Sequence, residues 1–151
     1  MNLPRWLRWM LARFFHMRAA THRHFGNSTG DLAEQEFAVA DFTRAIKLDP
    51  DYVSAYYNRG VLYWRELRNG YRAIRDLTRV RELEPTWAEA LFNRAMAHQI
   101  RGDHEKAIAD LEQYLVEGQD AYWRESAQRQ MAILREMVIE KNAHRTSTPS
   151  P

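Results

Sequence analysis

Cysteine is absent from this 151-residue chain, which removes disulfides, thiolate nucleophiles, iron–sulfur clusters and cysteine-bound zinc, and leaves the redox compartment open. Acidic residues are absent from the first thirty positions, where Arg5, Arg8, Arg13, Arg18 and Arg23 all precede Asp31. Residues 31–151 hold the remaining 17 basic side chains against all 20 acidic ones, so the net charge of +2 is an N-terminal property. In that N-terminal stretch Arg8 and Arg13 interrupt the apolar residues well short of the roughly 20 needed to cross a bilayer, and they also spoil a secretory signal core. No HExxH motif, phosphate-cradling glycine loop or nucleophile elbow occurs. His22 and His24 stand two apart, on different faces of a helix, without further ligand spacing. Neither a metal, a cofactor nor enzyme activity is expected. With 45% hydrophobic and 28% charged residues, the chain is expected to fold as one soluble domain with short extensions.

What the chain does contain is an internal repeat. Asp41-Phe42-Thr43-Arg44-Ala45-Ile46-Lys47-Leu48-Asp49-Pro50 returns as Asp76-Leu77-Thr78-Arg79-Val80-Arg81-Glu82-Leu83-Glu84-Pro85, and Tyr57-Asn58-Arg59-Gly60 returns as Phe92-Asn93-Arg94-Ala95. Ala38, Ala73 and Ala107 mark the same period, as do Phe42, Leu77 and Leu111. Apolar residues recur at three- and four-residue spacing, Pro50 and Pro85 punctuate the joins, and no segment shows the alternation of a half-buried strand. The Asn69-Gly70 pair is expected to supply a positive-φ turn inside the second unit.

Tyr56, Gly60, Tyr63, Ala73, Leu77 and Pro85 resemble the signature of the tetratricopeptide repeat, a helix–turn–helix unit. The resemblance implies an all-α, right-handed α-solenoid of three repeats, at about 19–52, 53–87 and 88–121. The first unit keeps Gly26, Ala38, Phe42, Ala45 and Pro50. It has His22 and Thr29 where aromatics are usual and Gly30 within the pattern, so its first helix is expected to be short or frayed. Residues 122–141, with Trp123, Ala127, Met131, Leu134 and Val138 on one face, read as a capping helix, and 142–151 as a disordered tail.

Residues 1–18 form a separate, basic amphipathic segment. Leu3, Leu7, Met10, Phe14 and Met17 share one helical stripe with Trp6 beside it, while Arg5, Arg8 and His16 lie on the other side and Arg13 adds to the charge. Three roles fit this pattern. The stripe packs as an N-terminal cap on the first repeat or on a partner; the helix lies on an anionic membrane surface; or the segment is an organelle transit peptide, which its near lack of Ser opposes.

The resemblance implies a non-catalytic scaffold for protein–protein interaction, an adaptor or assembly factor whose first helices line a concave groove for a peptide or a partner's helix. Helical spacing from the matched residues puts Arg23, Asn27, Tyr57, Val61, Trp64, Phe92, Met96 and Gln99 on that side. Arg23, Asn27 and Asn58 also match the opening of the carboxylate clamp of co-chaperones within the family. The clamp closes with Lys and Arg, where this chain has Glu89 and Asn93, so the full clamp is rejected. A permanent structural subunit of a larger complex is the rival reading. An RNA-binding repeat protein using Arg68, Arg72, Arg75 and Arg79 is a third, disfavoured because Asp76 offsets the strip and such strips are usually solvated faces. The expected location is cytoplasmic, peripheral to a membrane if the N-terminal helix attaches to one.

Overall fold

The computed structural model describes residues 3–147. Among these residues the chain forms helices and no strands. The helices are α1 (Arg5–Thr29), α2 (Leu32–Leu48), α3 (Val53–Arg65), α4 (Gly70–Leu83), α5 (Glu89–Ile100), α6 (His104–Glu117) and α7 (Ala121–Ser147). Consecutive helices pair as antiparallel hairpins, α1 with α2, α3 with α4 and α5 with α6, and the hairpins stack in chain order with α7 laid over the last. The result is a right-handed α-solenoid of three repeats and a cap.

Local chemistry sets the helix ends. Asp31 accepts from the Ala33 amide at 2.9 Å and Asn69 from the Arg72 amide at 3.0 Å, satisfying otherwise orphaned first-turn donors. Gly30, at φ 72°, ends α1 in the left-handed conformation that glycine adopts freely. It is a terminator of α1 and does not interrupt it, so the first helix is neither short nor frayed. The positive φ expected at Asn69-Gly70 falls instead on Arg68, at 51°. Gly70 is needed for a different reason: a Cβ there would stand 2.6 Å from the Ala97 carbonyl oxygen on α5. Gly70→Ala is expected to push the start of α4 off α5 and cost about 1–3 kcal/mol, offset only in part by Ala's better helix propensity. Urea unfolding followed by circular dichroism checks this.

The expected boundary at residue 18/19 lies inside one continuous helix. α1 packs through Ala12, Ala19 and Gly26, all buried, whose small size lets its backbone approach α2. The first core cluster joins Ala19 to Ala38, Phe42, Ala45, Ala55 and Leu62. A second gathers Tyr63, Ala73, Leu77, Val80, Ala90 and Ala97 between the second and third hairpins. The third, with Leu91, Phe92, Leu111 and Tyr114, is closed by Ala127 and Leu134 of α7. α7 also runs past the expected end of the cap, making 142–147 helical; residues 148–151 of the expected tail lie outside the described residues.

Ion pairs repeat with the fold. Arg59 grips Asp76 with two hydrogen bonds of 2.7 and 2.9 Å and donates a third, of 2.8 Å, to the Thr43 hydroxyl on the preceding hairpin. Arg94, Asp110 and Thr78 repeat the arrangement one unit later, at 2.8, 2.6 and 3.2 Å. In the first unit Asp41 is held instead by Arg18 of α1 and Arg44. Burial pushes the Asp41 carboxyl up, and the two guanidinium groups outweigh it and hold it below the usual carboxylate range.

Candidate protein-binding groove

The facing sides of α1, α3 and α5, joined by the first turn of α7, enclose a cleft of about 160 Å³. Its lining includes Arg23, Tyr57, Val61, Arg65, Glu89 and Trp123. A second cavity of about 230 Å³ continues from it past Val61 to His24, Asn27 and Glu66. A hydrogen-bonded row forms the floor. Arg23 donates to the Asn58 side-chain oxygen at 2.9 Å, and Asn58 donates to the Ser54 carbonyl at 2.8 Å. Trp64 donates to Asn93 at 3.0 Å, while Asn93 donates to the Tyr57 hydroxyl at 3.0 Å and to the Glu89 carbonyl at 2.8 Å. Tyr57 stacks on Trp87, with ring centroids 5.0 Å apart. Burial and the neighbouring Glu89 carboxylate push the Tyr57 phenol up, so it stays protonated and uncharged across the neutral range. These contacts fix the side chains before any ligand arrives, which lowers the entropic cost of binding.

Of the eight residues expected on the groove, Arg23, Asn27, Tyr57, Val61 and Phe92 line one or both cavities. Trp64 stands beside them, half-buried, with its ring against the second and third core clusters. Phe92 and Met96 also serve the core. Each is only 8% exposed and belongs to the third cluster, which Ala127 and Leu134 of α7 help to close. Phe92 still floors the cleft, in edge contact with Trp123 at 5.1 Å. Gln99 is half-buried and borders neither cavity. Arg65 and Trp123 are groove residues that spacing did not select. Trp123 belongs to the face read as the cap's inner side, and its helical position carried no hint that the cap begins inside the groove.

The N-terminal helix also differs from expectation in detail. Its apolar stripe does not pack on the first repeat. The opposite side does, with Arg8 donating to the Leu48 carbonyl at 3.1 Å and His16 lodged between Phe42 and Tyr52. Burial and nearby Arg23 push the His16 imidazole below its usual range, so it sits neutral beside the Asn58 amide. Arg13 pairs with Asp49 at 2.6 Å, its guanidinium between the Trp9 and Tyr52 rings. Arg18 is committed to Asp41. Arg5 and Trp6 remain exposed, and Leu7 is half-buried. No helix among the described residues is long and apolar enough to cross a membrane.

The arginine strip on α4 is partly engaged. Arg79 reaches Glu82 at 3.1 Å and Asp51 at 3.4 Å, Arg75 lies 3.7 Å from Asp76, and Arg72 sits over the Tyr63 ring. His22 meets Glu34 at 2.7 Å and packs on Phe37.

Stacked helical hairpins with a preformed cleft on the inner helices define a helical-repeat scaffold. The chain belongs to the tetratricopeptide repeat family, whose models, described as TPR repeat and Tetratricopeptide repeat, match residues 31–66 and 65–122. Modules of this family are in general non-catalytic and mediate protein interaction. The fold is similar to that of the Arabidopsis OM64 TPR domain, with a TM-score of 0.70 and 21% identity over 86% of this chain and 98% of that one. It is similar also to the second TPR domain of human RPAP3, in complex with an HSP70 peptide (TM-score 0.62, 23% identity, 80% and 98% covered). The TPR2B domain of yeast Sti1, in complex with pHsp70, gives a TM-score of 0.64 at 20% identity, covering 80% and 98%. Comparison with curated protein sequences returns no match.

Proposed function

We propose that this protein is a cytoplasmic adaptor or assembly factor whose concave cleft holds a segment of a partner protein while α1 keeps the solenoid at a membrane or membrane complex. The observation that carries the reading is the cleft itself: an apolar patch of Val61 and Trp123 flanked by Arg23, Arg65 and Glu89, with its floor already hydrogen-bonded. The similar domains of RPAP3 and Sti1 are complexed with HSP70-type ligands. In this chain Glu89 and Asn93 stand where the clamp residues would be basic. A ligand carboxylate brought to contact with Glu89 would meet a repulsion of about 1–4 kcal/mol. The expected ligand is therefore an extended segment or helix that inserts apolar side chains beside Val61 and Trp123.

A photo-crosslinking residue at Val61, compared in native cells with one at Arg75 on the outer helix, tests this. The expected result is one dominant protein adduct from position 61, weakened several-fold by Trp123→Ala. Equal adducts from both positions would reject the groove. A partner that stays bound through purification at fixed stoichiometry without irradiation would instead favour a permanent subunit.

A further inference from the structure

The side of α1 turned away from the solenoid carries a single ridge of large apolar residues. Trp6, Met10, Phe14 and Met17 are exposed by 63%, 53%, 54% and 69%. At a helical rise of about 1.5 Å per residue the ridge is roughly 17 Å long. Single exposed apolar side chains are ordinary, but a continuous row over three turns marks a contact surface. Leu3 precedes the helix and borders a cavity beside Leu48 and Pro50 instead.

We infer that this ridge is the docking edge for a lipid bilayer interface, entered by Trp6, Met10, Phe14 and Met17 while the rest of the solenoid remains in water. The inference rests on the membrane part of the proposed function and specifies its surface and its physics. Three observations favour a bilayer over a protein. The ridge is convex and one helix wide, a shape that a deformable lipid surface accepts and that a protein would have to match with a groove. At about 100 Å² for each partly exposed large side chain it offers roughly 400 Å², below the about 800 Å² per partner of a stable dimer. Its N-terminal end sets Trp6 and Trp9 beside Arg5 and Arg8, a combination suited to the headgroup boundary, on a helix with no acidic residue.

Charge contributes less than five arginines would indicate, because Arg13 and Arg18 are paired with Asp49 and Asp41. The apolar ridge therefore carries the attachment. The same helix supplies Arg23 to the cleft and is welded to α2 by those pairs and by buried Ala12 and Ala19. A docked molecule thus holds its groove beside the bilayer, within reach of membrane-proximal segments of other proteins.

Flotation of the full chain with phosphatidylcholine vesicles, and with phosphatidylcholine vesicles containing phosphatidylserine, tests the ridge at low and moderate salt. Binding to both is expected, with a few-fold gain from the anionic lipid and little loss in salt. The double variant Met10→Glu/Phe14→Glu is expected to lose about tenfold or more of the bound fraction with an unchanged melting curve, since both positions are more than half exposed. Ile139→Glu, at an exposed apolar site on α7, should float like the parent. Four results would overturn the inference: no flotation on either vesicle; full flotation of the double variant; binding only to anionic vesicles and abolished by salt; or a dimer in ultracentrifugation that the double variant dissociates. Crosslinking at Val61, repeated in the double variant, separates the outcomes. Groove adducts that persist in the double variant without flotation leave the adaptor reading standing, and a parent protein that floats but gives no adduct at position 61 counts against the groove alone.

Discussion

Asp76→Ala is expected to lower the unfolding free energy by about 3–5 kcal/mol, among the largest effects available to a single substitution in this chain. Asp76 and Arg59 are 1% and 6% exposed, and their two hydrogen bonds run across the second hairpin. Removing the carboxylate strands a buried guanidinium whose one remaining side-chain hydrogen bond goes to the Thr43 hydroxyl. The cost is that of an uncompensated buried charge and exceeds the net worth of the pair. An apolar replacement of both partners, such as Arg59→Met with Asp76→Leu, should therefore recover much of the loss. Asp110→Ala breaks the equivalent pair one unit on. It should cost less, because the Arg94 side chain is 19% exposed and its guanidinium can turn toward water. Urea unfolding of the three variants orders these effects. Asp110→Ala losing more than Asp76→Ala would mean that burial does not set the penalty.

The repeat makes these pairs intelligible in hindsight. Arg59 and Arg94, Asp76 and Asp110, and Thr43 and Thr78 recur at the repeat's own spacing, so the residue types were visible in the sequence. Their contacts were not, because each triad draws on three different helices and depends on how the hairpins stack. The hairpins themselves were legible from apolar period and proline punctuation, which are local properties. α1 was harder to read. Its stripe of Leu3, Met10, Phe14 and Met17 has the stronger hydrophobic signal, yet Ala12, Ala19 and Gly26, seven residues apart, make the packed face. Close helix approach favours small side chains, and the large ones are left outside. Phe92 and Met96 show what periodicity leaves out: both lie on α5, Phe92 lines the cleft, and both also belong to the third core that a nonlocal element, α7, helps to close.

Deleting α7 after Asp120 is expected to abolish the soluble monomer. Ala127 and Leu134 are fully buried in the third core, and Met131 packs beside them. Their loss would bare Leu111, Tyr114 and Phe92 on the last hairpin, an apolar face that a solenoid end cannot leave in water. Leu134→Ala alone should cost about 2–5 kcal/mol, from lost burial and the cavity left behind. The deletion adds the loss of the Arg124 hydrogen bonds to the Leu115 and Gly118 carbonyls, which tie the start of α7 to the end of α6. Size-exclusion chromatography should show aggregates or no recoverable protein for the deletion, and a folded monomer with a lowered melting temperature for Leu134→Ala. Truncation after Lys141 provides the comparison. Residues 141–144 are exposed, so that shorter cut should leave stability within about 0.5 kcal/mol of the full chain. If the deletion after Asp120 behaved like this shorter cut, α7 would be an appendage, and the third core would have to be held by α5 and α6 alone. Trp123 gives the cap a second consequence, since removing α7 also removes one wall of the cleft. The cleft wall and closure of the core are thereby tied to one helix, and on the proposed groove reading any variant that loosens α7 should weaken crosslinking at position 61 in proportion to the fraction of molecules whose cap has opened.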